Sequence, residues 1–288
     1  MLGWRAPFAG DALATGRPPR PDPTTHDDEY FALIAKALRV CANYKPMFGQ
    51  GRKGGLTLEQ FHRLYGADPF YAWVGLDSPL MYAAHKAAGG MTSIYRQLGI
   101  GCEWVFGRML QNSLGLTEEQ ARWKYEVRDG KGLTRTLYLD GRIELAHIRD
   151  ADTKRRLSDW MNEAAEWAMV PAPGRARLRG AVFEVRQGYK SKDSKRQNAD
   201  IGNAASAYAH DFLPVLFILS KQIDSDVLDR YQKAQWLPLV GTTAGTPTGS
   251  GYVFCREIVG YDLASFFERN STRLKFELEI VLKKLMEP

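Results

Sequence analysis

One short stretch of the chain combines a carboxylate with a dense set of cations. Residues 180–200 read GAVFEVRQGYKSKDSKRQNAD, so Glu184 lies in an apolar run and basic residues follow it directly. From Arg175 to Arg196 there are eight Lys or Arg and two acids, and this balance of +6 equals the formal net charge of the whole protein. A carboxylate in a positive field suits an enzyme that holds a divalent metal ion against a polyanion. We therefore predict nuclease chemistry here.

The alternation of side chains along a strand predicts which residues share the face of Glu184. Arg186 falls on that face, Phe183 and Val185 fall on the other, and continued alternation brings Lys190 back to the face of Glu184. An acid and a cation on one strand face, near the strand end, can cut a phosphodiester. The acid helps to hold Mg²⁺, and the cation stabilises the charge that develops on the phosphate.

A strand–helix–strand unit is predicted to position these residues. AVFEVRQGY is a strand, Ser194 caps a helix that contains KRQNADIGNAASAYAHDF, and the apolar run LPVLFILS is a buried strand. Such a crossover joins two parallel strands. It places the end of the first strand at the edge where α/β sheets bind their ligands.

Residues 150–240, approximately, resemble the PD-(D/E)xK nucleases. The resemblance lies in the order of an acid-bearing strand, a basic turn, a helix with a polar start and a buried strand. Among these the chain is most similar to type II restriction endonucleases. The resemblance implies an α/β fold with a mixed sheet flanked by helices, bound Mg²⁺, sequence-specific cleavage of double-stranded DNA, and a homodimer that cuts both strands. The family motif is acid–x–Lys, whereas this chain has Glu184-Val185-Arg186. The role of the lysine then falls to Arg186, Lys190 or Lys192.

The resemblance also implies a second metal-binding acid. No acidic residue lies between Trp167 and Phe183, so Glu166 and Asp152 are preferred upstream, and Asp193 is a downstream alternative. Asp140 ranks lower, because Asp-Gly is a typical hairpin-turn sequence. The other acids that remain open are Asp150, Asp159, Glu163 and Asp200.

Candidate DNA contacts lie in three segments. The glycine-rich loop GQGRKGG can bring Arg52 and Lys53 to a phosphate. The pair Gly89–Gly90 predicts a break in a long helix, after which polar side chains suited to base edges occupy a new helix start. These side chains are Ser93, Tyr95, Arg96 and Gln97, and the basic run adds Lys195 and Arg196. A solvated loop and an exposed helix face are the alternative interpretations.

Composition divides the chain into three regions. A flexible proline-rich arm is predicted for residues 1–27, a helical DNA-recognition region for 28–122 and an α/β catalytic region for 123–288. In the last region WKYEV, LTRTLYL and RIELAHI are predicted strands, the latter two joined as a hairpin at Asp140–Gly141. WLPLVG and GYVFCREIV are two further predicted strands, and DLASFFERNSTRLKFELEIVLKKL is a single final helix.

Several classes of function are disfavoured. No run of 18 apolar residues is present, so we expect no membrane partner. Three distant cysteines, Cys41, Cys102 and Cys255, favour a reducing, intracellular setting. The resemblance implies a cytoplasmic location of prokaryotic type. The loop GTTAGTPTGSG lacks the Lys-Ser/Thr of a P-loop, so no nucleotide cofactor is expected. A DNA-binding protein without catalysis and a structure-selective repair nuclease remain as alternative functions.

Overall fold

The structure is a computed structural model that describes residues 24–48, 54–128, 134–188 and 194–287, without the side chains of residues 127, 128, 135 and 194–201. Within these ranges the fold is mixed α/β, with two sheets and many helices. The strands are β1 (Trp123–Arg128), β2 (Thr134–Leu139), β3 (Gly141–Glu144), β4 (Gly180–Arg186), β5 (Phe212–Ile218) and β6 (Leu237–Leu239). The helices are α1 (Asp27–Arg39), α2 (Leu58–Gly66), α3 (Pro69–Trp73), α4 (Pro79–Leu114), α5 (Glu118–Ala121), α6 (Ala151–Trp167), α7 (Ala172–Arg175), α8 (Ser194–Ala209), α9 (Ser225–Lys233), α10 (Gly251–Phe254), α11 (Leu263–Arg269) and α12 (Ser271–Met286).

Local capping rules account for several helix starts. The predicted capping box of α2 is confirmed, because Thr57 Oγ1 accepts a hydrogen bond from the Gln60 N–H and Gln60 Oε1 accepts one from the Thr57 N–H. Ser78 begins α4 in the same way, with its hydroxyl oxygen accepting from the Met81 N–H at 3.3 Å. At its other end α4 stops at Gly115, whose φ of +66° suits glycine.

The main sheet has the order β3-β4-β5-β6. β3 is antiparallel to β4, and β5 is parallel to both β4 and β6. Helix α8 connects β4 to β5, so the predicted crossover between parallel strands is confirmed. The sheet therefore places an antiparallel edge strand beside the strand that carries Glu184.

The hairpin predicted at Asp140–Gly141 is wrong. β2 pairs with β1 in a separate two-stranded sheet, whereas β3 pairs with β4. Gly141 is needed for close packing rather than for a hairpin turn, because a Cβ at this position would lie 2.8 Å from the Phe106 ring. Asp140 thus lies between two strands that belong to different sheets.

The C-terminal part differs from the prediction in two elements. GYVFCREIV forms α10 followed by a π-helical turn, Cys255–Val259, and not a strand. Ser250 caps this segment, and a short apolar run fits a buried helix as well as a strand. The predicted single final helix is two helices, α11 and α12. Asn270 lies between them and donates to the Phe266 carbonyl and to Asp27.

The pair Gly89–Gly90 does not interrupt α4, which is one continuous helix of 36 residues. A Cβ on Gly89 would overlap the Tyr44 ring, and one on Gly90 would lie 2.6 Å from the Leu285 side chain. The glycines therefore let a loop and α12 approach the helix closely, and this packing outweighs their poor helix propensity.

Two apolar clusters cover the two faces of the main sheet. Phe183 and Val185 of β4 pack with α1, α4, α6 and α12 on one face. Val182 packs with α8, α9 and the β1–β2 sheet on the other. The first cluster contains residues from both sides of the predicted boundary between residues 122 and 123, so the helical region and the sheet share one core. None of the helices within the described ranges is long and apolar enough to cross a membrane.

Candidate functional site

Glu184 and Arg186 lie at the carboxyl end of β4 and are almost fully enclosed. Glu184 is 6% exposed and Arg186 is 9% exposed. Val182 packs on one sheet face while Phe183 and Val185 pack on the other, so the predicted alternation along β4 is confirmed. Charges buried to this extent are unfavourable unless hydrogen bonds and opposite charges satisfy them. Their surroundings therefore decide what these two residues can do.

The guanidinium group of Arg186 lies between two carboxylates. Its Nη2 forms an ion pair with Glu184 Oε1, and its Nη1 lies 3.9 Å from Asp140 Oδ2. Nη1 also donates to the Val185 carbonyl oxygen at 3.2 Å. The side chains of Asp140, Glu184 and Arg186, which we call the β4 cluster, thus form one group of two acids and a cation.

Asp140 is the acid that the strand pairing brings to Glu184. Gly141 pairs with Phe183, so the preceding residue, Asp140, falls opposite Glu184. Asp140 Oδ2 accepts a hydrogen bond from the Val185 N–H at 2.8 Å. The carboxylate thereby replaces a backbone acceptor at the point where β3 begins. Asp140 does not lie in a hairpin turn, so the reason for its low rank among the acids is wrong.

Neither preferred upstream acid lies in the β4 cluster. Asp152, in the first turn of α6, is 74% exposed and paired with Arg155. Glu166 is also 74% exposed and pairs with Arg175.

The far end of α6 explains why Glu166 is remote as well. The carbonyl of Met169, just after α6, accepts from the Gln235 side chain at 3.0 Å. Gln235 directly precedes β6, so this end of α6 lies where the parallel strands begin. The carboxyl end of β4, which carries Glu184, is the opposite edge of the sheet.

Other predicted site residues cannot be placed. Lys190, Lys192, Asp193, Arg52 and Lys53 lie outside the described residues. Lys195 and Arg196 belong to the first turn of α8, and their side chains are not among those described. The predicted roles of these residues remain predictions.

The four polar residues after Gly89–Gly90 do not occupy a helix start, because α4 is continuous there. Ser93 is half-buried, with its hydroxyl 3.4 Å from the Cys41 sulfur. Tyr95 lines an apolar cleft between α4 and α12. Arg96 is exposed and Gln97 is partly exposed. Arg96 and Tyr95 are therefore the two exposed members of this set.

Sequence reasoning missed Glu103, which lines a cleft together with Asp140. A Cβ on Gly99 would lie 3.9 Å from the Gln187 side chain, and one on Gly107 would lie 3.8 Å from the Asp140 carbonyl. Glu103 is four residues from each glycine, so it shares their helix face. The four-residue spacing of Gly99, Glu103 and Gly107 could have indicated this shared face. That spacing has a meaning only in a continuous α4, which the sequence did not predict.

A cleft of about 320 Å³ opens beside Asp140. Glu103 and Asp140 line it together with Trp104, Arg108 and Tyr138. Tyr138 is two-thirds exposed and Trp104 is one-third exposed. Aromatic rings beside a cation are common where proteins hold nucleic-acid strands. The lining also includes Glu118 and Arg122, which form an ion pair, so the cleft carries no excess of positive charge.

The β4 cluster suits a magnesium ion that keeps most of its water. The described residues contain no group of three or more His, Cys, Asp or Glu side chains that could hold a metal ion. Proteins commonly bind Mg²⁺ through only one or two carboxylates, with water completing the octahedron. Asp140 and Glu184 meet this requirement, so the residues fit a water-rich site and do not form a closed cage.

Comparisons with known proteins add no family assignment. No protein-family model, curated protein or solved structure matches the chain. The functional conclusion therefore depends on the geometry of the β4 cluster and its surroundings.

Proposed function

We propose that this chain is a Mg²⁺-dependent endonuclease that cuts double-stranded DNA, of the PD-(D/E)xK type. The observation that carries the proposal is the placement of Asp140 opposite Glu184, with Arg186 contacting both. Two acids from neighbouring strands and a cation two residues beyond one of them give the site an acid–acid–cation set. The antiparallel β3 beside the parallel pair β4–β5 supports a restriction-endonuclease-like sheet.

In this proposal Asp140 and Glu184 hold the metal ion at the end of β4. Bound Mg²⁺ supplies a polarised phosphoryl oxygen and a water molecule of lowered pKa. Arg186 donates to a non-bridging phosphate oxygen and stabilises the charge that develops during in-line attack. The hydrogen bond from the Val185 N–H fixes the direction of the Asp140 carboxylate. The low exposure of Glu184 and Arg186 strengthens their electrostatic contacts.

Sequence-specific cleavage by a homodimer is the finer part of the proposal. Two copies are needed because each β4 cluster serves one strand of the duplex. The exposed Arg96 on α4 is the surface residue that we assign to DNA. The basic excess of residues 175–196 supports this assignment, because contacts to phosphate dominate the affinity of DNA-binding proteins.

A DNA-binding protein without catalysis is the second candidate. The ion pair between Arg186 and Glu184 favours it, because this contact neutralises the acid that a metal ion requires. In that case the β4 cluster would be structural, and the basic surface would only hold phosphate.

Incubation of the protein with unmethylated phage DNA, in Mg²⁺ or in EDTA, separates the candidates. Discrete bands that require Mg²⁺ are expected for the proposed function, and a smear would remove sequence specificity alone. The variant Glu184→Gln is expected to bind the same DNA in a gel-shift assay without cutting it. Intact DNA that is nevertheless shifted by the wild-type protein in Mg²⁺ would favour the second candidate.

A further inference from the structure

A second cleft, of about 440 Å³, lies between α4 and α12, and α1 contributes its floor. The floor residues Ile34 and Leu38 are buried, whereas Met91 and Tyr95, on the α4 side, are 40% and 38% exposed. The cleft is therefore open to solvent on this side. Its volume is within the range of small-molecule sites, about 300–1,000 Å³, which hold their ligands mainly against apolar side chains.

The side chains that α12 contributes change in polarity along the cleft. Ser271 and Lys275 line it near the start of the helix, and Leu278 and Leu282 line it further along. Spacings of three and four residues put all four on one helix face. The cleft thus offers polar groups toward one end of this face and aliphatic groups toward the other.

Lys275 gives the cleft its charge. Among the described residues that line the cleft it is the one charged side chain, and no Asp or Glu accompanies it there. It is exposed and makes no ion pair with the part of the chain that the structure describes. Elsewhere on α12, Arg273 pairs with Asp28 and Lys283 pairs with Glu279. An uncompensated cation beside an apolar cleft complements a ligand with an acidic head and an apolar tail.

We propose that this cleft binds a free aliphatic carboxylate, with its head group at Ser271 and Lys275 and its tail along Leu278 and Leu282. From Ser271 to Leu282 the helix advances about 17 Å. With carbon–carbon bonds of about 1.5 Å, an extended chain of about twelve carbons covers most of this length. The inference does not depend on the proposed function, because no residue of the β4 cluster lines this cleft.

The first test titrates the full-length protein with dodecanoate, below its micelle concentration, by isothermal titration calorimetry. Saturable binding to a single class of sites is expected. Dodecyltrimethylammonium has the same tail and the opposite charge, so we expect it to bind at least about tenfold more weakly. A cleft that is filled by another part of the chain would give no saturable binding. That result, or equal binding of the two probes, would overturn the proposal.

Lys275→Met tests the head group, because it removes the charge and keeps an apolar side chain. Dodecanoate binding is expected to weaken about fivefold, as for a partly screened ion pair. Lys284 is the matched control, since it is also exposed on α12 but does not line the cleft. Lys284→Met is expected to leave the affinity unchanged. An equal loss from both variants would show that net charge, and not the cleft, attracts dodecanoate.

Met91→Trp tests the tail by narrowing the cleft from α4, and Met286→Trp, at an exposed position outside the lining, is its control. We expect at least about a tenfold loss of dodecanoate affinity in the first variant and none in the second. Circular dichroism checks that both fold.

Two outcomes of this comparison would overturn the proposal. Undiminished binding by Met91→Trp would place the dodecanoate elsewhere on the protein. Conversion of a wild-type dimer to a monomer by Met91→Trp, in sedimentation velocity, would assign the cleft to a second copy of the chain. Because no cleavage is measured, a protein that binds dodecanoate as expected but cuts no DNA would refute the proposed function and leave this inference standing.

Discussion

Two clusters of acidic and basic side chains in this molecule share their chemistry and differ in their attachment. In the β4 cluster the pair Glu184 and Arg186 is contributed by a single strand, with Asp140 added from the next. In the second, which we call the α1 junction, Asp27 at the start of α1 accepts from Tyr261, Arg269 and Asn270. The contacts of the α1 junction span more than 230 residues and join α1 to the C-terminal helices.

The two clusters differ in what their contacts join. Arg269 donates to both Asp27 oxygens, at 2.8 Å and 2.9 Å, and Asn270 donates to one of them at 3.0 Å. Breaking these bonds separates helices. In the β4 cluster the ion pair of Arg186 with Glu184 joins two residues of one strand. This pair therefore connects no two separate elements of the fold.

The largest expected effect tests the β4 cluster through Asp140. Asp140→Asn keeps an oxygen that can accept from the Val185 N–H and removes the charge that a metal ligand needs. We expect DNA cleavage to fall by about a thousandfold, which corresponds to ~4 kcal/mol in activation free energy. Single-turnover cleavage of phage DNA measures it. Cleavage within tenfold of the wild-type rate would exclude Asp140 as a metal ligand.

The converse change, at the α1 junction, is expected to affect stability and not activity. Asp27→Asn weakens the charge-assisted hydrogen bonds that the Asp27 side chain, which is 13% exposed, accepts. We expect the free energy of unfolding to fall by about 2 kcal/mol, measured by urea denaturation. The cleavage rate per folded molecule should not change.

Asp28 is the matched control for this change. It is the next residue, 91% exposed, and its contact is one ion pair with Arg273. Asp28→Asn is expected to leave the urea midpoint unchanged, because an exposed pair is screened by water. A similar loss from both variants would show that the general charge of the helix start, and not the α1 junction, stabilises α1.

The pH dependence of stability should report the α1 junction. Hydrogen bonding from Arg269 lowers the pKa of Asp27 below its ordinary value. A carboxyl group whose pKa is lower in the folded state stabilises the fold above its unfolded pKa, about 3.9, and loses that contribution as pH falls through the folded pKa. The pKa of Glu277 is also lowered, by its hydrogen bond with Arg39, so Glu277 contributes to stability with the same pH dependence.

We therefore expect the stability difference between wild type and Asp27→Asn to be largest at pH 6 and to shrink below about pH 4. Urea denaturation at pH 6, 4 and 3 measures this difference. A difference that is constant over the whole range would indicate that Asp27 contributes through its shape alone.

Much of β4 and its surroundings could be predicted from the sequence because the signals are local. A period of two identifies the strand and assigns Glu184 and Arg186 to one face. The polar start of α8 and the apolar run of β5 identify the parallel crossover. The capping residues of α2 lie three positions apart. None of these patterns requires knowledge of distant parts of the chain.

The second acid could not be predicted, because pairing between residues 140 and 184 is not a local property. Asp-Gly has a strong preference for hairpin turns, and only packing of Gly141 against Phe106 explains its use at the start of β3. Similarly, Gly89–Gly90 disfavours a helix locally, and contacts with Tyr44 and Leu285 outweigh that preference. The position of Glu103 in the cleft beside Asp140 likewise depends on α4 being continuous.

The smallest expected effect concerns the acids of α6, which lie in neither cluster. Asp152 and Glu166 are each 74% exposed, and each pairs with an arginine near the surface. The double variant Asp152→Asn with Glu166→Gln should cut DNA within about twofold of wild type and lose less than about 0.5 kcal/mol of stability. The assays are those used for Asp140→Asn and Asp27→Asn. A hundredfold loss of cleavage would move the metal site from the end of β4 to α6, and it would make the Asp140 contact with Arg186 a structural one, like that of Asp27 with Arg269.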